Sequence, residues 1–92
     1  MTNAVLNQSA INFYARLLPS EFDKAVYDMA GKITMNGCSH GRLCIVHSMY
    51  AAALANAGSE DTDHDTEREW RREELPLAAR LVTLAEQAYA AA

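Results

Sequence analysis

Cys38, His40, Cys44 and His47 fall within ten residues, in the stretch "NGCSHGRLCIVH" from Asn36 to His47. They are both cysteines of the chain and two of its three histidines. Thiolates and neutral imidazoles are good zinc ligands, and a four-coordinate Cys2His2 set would suit a structural site. The ligand types fit, but the spacing does not. Zinc modules usually gather two ligands on one knuckle and two more a dozen or more residues away, so that the metal ties distant segments together. Here Cys44 and His47 can share a helix face, whereas Cys38 and His40 would have to fold back over that helix's first turn. No metal and no other cofactor is expected.

The other chemistry open to these residues is nucleophilic. A Cys–His pair needs thiol and imidazole within hydrogen-bond reach, and usually a third group to orient the base. Cys44 and His47, at i and i+3, could meet on a helix surface. No long cleft-forming loop surrounds them, and an oxyanion hole has no evident source, so most requirements of an active site are unmet. The expectation is a protein that is not an enzyme.

A second informative stretch is "GSEDTDHDTEREWRREEL", from Gly58 to Leu75. Glu60, Asp61, Asp63, Asp65, Glu67 and Glu69 place six carboxylates in ten residues. As a calcium loop it fails: Asp61, Asp63 and Asp65 imitate the first three ligand positions, but Thr66 and Arg72 stand where Gly and Glu are required. Acids in the first turn of a helix oppose its dipole favourably, and Glu67–Arg71 is a stabilising i, i+4 pair, so an ordinary solvated face is one reading. The other is a binding element. Spaced carboxylates on a rigid helix can occupy a groove built for phosphates, since both present anionic oxygens to Arg and Lys. Trp70 beside Arg68, Arg71 and Arg72 fits an interface anchor, and equally fits a cap on a helical core.

The elements that must position these groups read as helices. Strict alternation is absent, and the turn residues separate segments of helical period. A first segment spans about Ala4 to Leu18, with Ile11, Tyr14 and Leu18 on one stripe. Pro19 stops it, and Ser20 is suited to cap the next segment. Glu21 to about Met35 carries Phe22, Val26, Met29, Ala30 and Ile33 at i, i+4, i+7, i+8 and i+11, and Asn36-Gly37 closes it. From about Arg42 to Ala57 the stripe is Leu43, Val46, Tyr50, Ala53, Leu54 and Ala57, with Ser39 or Asn36 at its entry. It places His47 at the stripe's edge and Cys44 near the opposite side. Asp63 or Asp65 can cap a further segment that is helical by propensity from Thr66 to Leu75. Pro76 then either kinks one long helix or opens a new one, before Leu77, Leu81, Leu84, Ala85 and Ala88 line a last face. The expected fold is all-α, a compact bundle of four to five short helices in a single domain over residues 1–92.

Ninety-two residues, half of them hydrophobic and 22% charged, suit one globular domain with a thin core. No apolar run approaches the roughly 20 residues that span a bilayer. The opening "MTNAVLNQSAINF" has no pattern of a secretory signal, so a cytoplasmic protein with free thiols is expected. The net charge of −4 is uneven. Residues 1–58 hold four Lys or Arg against three acids, a sum of +1, and residues 59–92 hold nine acids against four Arg, a sum of −5. A nucleic-acid binder should show a basic stripe, and none is visible. The helix–Gly turn–helix from Glu21 to Ala57 loosely matches a helix-turn-helix, but its second helix offers one arginine and two histidines as base-reading side chains, a weak DNA signal.

Taken as a whole, with its acidic stretch "EDTDHDTEREWRRE", the chain resembles the small phage-encoded anti-CRISPR proteins that inhibit type I effector complexes. That group has no diagnostic motif, so no residue role transfers by position. The resemblance implies a stoichiometric inhibitor, in the host cell cytoplasm, that docks on subunits of the complex and blocks recognition of target DNA. The partner-binding residues expected from the acidic stretch are Glu60, Asp61, Asp63, Asp65, Glu67, Glu69, Trp70 and Arg71. A small helical regulator or adaptor, dimeric through its helices or helix-turn-helix-like, is the competing reading. A zinc-supported module using Cys38, His40, Cys44 and His47 is a third.

Overall fold

The computed structural model describes residues 5–57 and 65–91, and the side chains of 5–57 and 73–91. Four helices follow in order: α1 (Gln8–Ala15), α2 (Pro19–Asn36), α3 (His40–Ala57) and α4 (Asp65–Ala91). No strand occurs among the described residues. The architecture is the expected all-α bundle, with four helices. None of these helices is long and apolar enough to cross a membrane.

Each boundary has a local cause. Asn7 is extended, and its side-chain oxygen accepts the Ala10 N–H at 3.1 Å, capping α1. The end of α1 tightens through Arg16 N–H to Phe13 and Leu17 N–H to Tyr14, both at 3.3 Å. Pro19 forces Leu18 into extended backbone (φ −63°, ψ 152°) and itself forms the first residue of α2. Ser20 therefore lies inside α2, and the N-cap position is Leu18, not Ser20 as the sequence suggested. Leucine has no side-chain acceptor, and the Glu21 carboxylate reaches back to its N–H at 3.0 Å. Gly37 ends α2 with φ 78° and its N–H on the Ile33 carbonyl at 2.8 Å. Ser39 Oγ accepts the Arg42 N–H at 3.2 Å, as a cap for α3.

α4 packs against both α3 and α2, and α1 packs against α3. The core joins Phe22, Val26 and Ile33 of α2, Leu43, Val46, Met49 and Ala53 of α3, and Ala78, Leu81 and Ala85 of α4, with Cys38 between α2 and α3. The α2 stripe is the one its periodicity predicts, although Met29 and Ala30 are only partly buried. The α3 stripe is rotated from the expected one: Met49 is fully buried, Tyr50 is half-buried and Leu54 is 53% exposed. The cause is that α3 is covered on a second side. Ser48 and Ala52, also fully buried, lie outside the Leu43–Val46–Met49 row. A helix covered on two faces loses the single-stripe signature.

Pro76 lies within α4, which runs unbroken for 27 residues. Of the two roles open to Pro76, an interior proline in one long helix is the one observed.

Candidate functional site

The four Cys and His candidates separate. Cys38 sits in the Gly37–Ser39 linker, 3% exposed, with its thiol 3.5 Å from the Ser39 carbonyl. Burial pushes its pKa above the usual thiol value, and the nearby Arg42 guanidinium partly opposes this. Arg42 Nη1 also donates to the Gly37 carbonyl at 3.2 Å, holding the linker against the start of α3. Cys44 lies one turn after His40, and its sulfur stands 3.8 Å from both ring nitrogens. The Val5 N–H also points at that sulfur, at 3.3 Å. His47 turns instead toward α4, with Nε2 3.1 Å from Glu86 Oε1. That is an ion-pair distance, although Nε2 has no hydrogen bond of good geometry.

Only His40 and Cys44 come together; Cys38 belongs to the core and His47 to the α3–α4 seam. Among the described residues, no group of three or more His, Cys, Asp and Glu is placed to hold a metal ion. Both cysteines are free thiols. The His40 ring also lies 6.0 Å from that of Tyr89, at a 52° tilt, so this outer face of α3 is partly covered by the end of α4.

Of the acidic candidates, Glu60, Asp61 and Asp63 lie outside the described residues. Asp65, Glu67, Glu69, Trp70 and Arg71 lie within α4, and their side chains are outside the described set. What the backbone fixes is continuity. The second half of the acidic stretch belongs to the same helix as the core row Ala78–Leu81–Ala85, and 27 residues at about 1.5 Å each make a rod of about 40 Å.

Two features escaped the sequence reading. Glu74, 1% exposed, continues the Ala78–Leu81–Ala85 row by one turn, so a carboxylate occupies a core position. Its place at i−4 from Ala78 was the available signal. The other is a groove of about 420 Å³ between α1 and α2. Phe13, Tyr14, Leu17, Ala25 and Met29 make its apolar part, and Glu21, Lys24, Asp28 and Lys32 make its charged rim. Phe13 is 58% exposed there and meets Tyr14 edge-on, with centroids 5.1 Å apart. Burial raises the Tyr14 pKa above the ordinary phenol value.

Comparison with known proteins finds no match to this chain among family models, curated proteins or solved structures.

Proposed function

We propose that this is a non-enzymatic inhibitor that binds a host protein or nucleoprotein complex through an acidic surface and blocks its recognition of target DNA. A type I CRISPR surveillance complex is the proposed partner, on the resemblance stated above. The observation that carries the reading is the continuity of α4. A helix anchored in the core through Leu81 and Ala85 continues in its backbone through residues 65–75, the second half of the acidic stretch, which supports presentation of that segment from the bundle. Rigid presentation lowers the ordering cost of binding, and an acidic face opposite a basic groove steers encounter.

Charge reversal tests this. Asp61, Asp63 and Glu67 together changed to lysine should leave the melting temperature within a few degrees of the parent and reduce partner affinity at least about a hundredfold, because each reversed site faces a like charge. Association of the parent should weaken steeply with added salt. A triple variant that melts normally and binds at parent strength would remove this segment from the interface.

A further inference from the structure

The rim of the α1–α2 groove carries a charge order that matches itself when reversed. Along α2, Glu21, Lys24, Asp28 and Lys32 read minus, plus, minus, plus, at i, i+3, i+7 and i+11. That spacing keeps all four on one side of the helix, and all four are exposed. Among the described residues, Lys24, Asp28 and Lys32 form no ion pair. We infer that this groove is the interface of a two-fold homodimer, in which α2 of one copy packs antiparallel to α2 of another. About a two-fold axis at the level of residues 26–27, Glu21 meets Lys32 of the second copy and Lys24 meets its Asp28. Each contact occurs twice, as an isologous interface requires. A parallel pairing in register would set like charges against each other, so the charge order selects the antiparallel one.

The apolar part of the groove supplies the rest. Ala25 lies between the charged positions and gives the small side chain that lets two helices approach closely. Phe13, on the facing wall, is a large aromatic left more than half exposed at the groove. A large exposed aromatic can anchor the apolar centre of an interface, and the charged residues around it form a polar rim that sets register. This dimer does not depend on the acidic stretch of α4, which lies on another helix.

Sedimentation equilibrium of the full chain tests the proposal. The parent should show a concentration-dependent species of twice the 10.1 kDa chain mass. The variant Lys24→Glu/Lys32→Glu makes the rim wholly acidic and should be monomeric. Asp28→Lys makes it mainly basic, spares the Glu21 cap, and should also be monomeric. Mixed in equal amounts, the two should form a dimer again, since three of the four facing pairs then have opposite sign. Phe13→Ala should weaken the parent dimer about tenfold or more. A parent that stays monomeric at high micromolar concentration, or a double variant that dimerises as well as the parent, would overturn the proposal. So would a mixture that remains monomeric while both variants keep parent-like helical circular dichroism.

Discussion

Ser48 Oγ accepts the Asn7 N–H at 2.9 Å across 41 positions of chain, and donates to the Cys44 carbonyl at 2.8 Å. Eight residues further along, Asn56 Nδ2 donates to the Ala15 carbonyl at 3.2 Å, again across 41 positions. The equal separations mean that α1 runs parallel to α3 in fixed register. No residue of α1 is fully buried, so these bonds and the packing of Tyr14 and Leu17 hold it in place. Ser48→Ala should cost about 1 kcal/mol, the net value of one such bond. Amide exchange in residues 8–15 should quicken while that of α2 changes little. Unchanged exchange in α1 would show that apolar packing alone anchors it.

The two phenylalanines should separate core from surface. Phe22 is fully buried, and Phe22→Ala should cost roughly 3–5 kcal/mol. Phe13, mostly exposed, should cost less than about 1 kcal/mol on the same change, measured by urea unfolding at a concentration where the chain is monomeric.

Gly37 and Gly31 should respond oppositely to alanine. Gly37 holds φ 78° with ψ −174°, a region nearly closed to other residues, and Gly37→Ala should cost about 1–3 kcal/mol. Gly31 lies within α2 with nothing within 4 Å of an added Cβ, so Gly31→Ala should stabilise by roughly 0.4–1 kcal/mol. Thermal melts of the two variants decide this directly.

Much of the fold was legible because local signals agree. The Phe22–Val26–Ile33 row and the Asn36–Gly37 stop each reflect one dominant rule. The entry of α2 was misread because Pro19 serves both as a stop for α1 and as a favoured first residue for α2, leaving Ser20 inside. Leu54 was misplaced because α3 is covered by α1 as well as α4, and two buried faces blur a 3.6-residue period. The α1–α2 groove could not be read at all. Its existence depends on α1 being tied to α3 by Ser48 and Asn56, contacts 41 residues apart that no local pattern encodes.

The cysteines should differ in reactivity and in their effect on pH dependence. Cys44, half-buried, should be alkylated well before the buried Cys38. The raised pKa of Cys38 means that the folded state favours its neutral thiol. Its contribution to stability is present below the ordinary thiol pKa and is lost as pH rises through the raised folded value. Stability should therefore decline in the alkaline range, and less steeply in Cys38→Ala. The raised Tyr14 pKa acts in the same direction at higher pH. An equal decline in parent and Cys38→Ala would exclude the Cys38 contribution.

The inhibitory role is tested most directly by titrating the purified protein into a type I CRISPR effector complex and measuring target-DNA binding by fluorescence anisotropy. The expected result is loss of DNA binding in proportion to added protein, complete at a small fixed ratio of protein to complex and restored by raising the salt. DNA binding that stays at full strength with protein in large excess, at low ionic strength and with the chain shown to be folded, would contradict it.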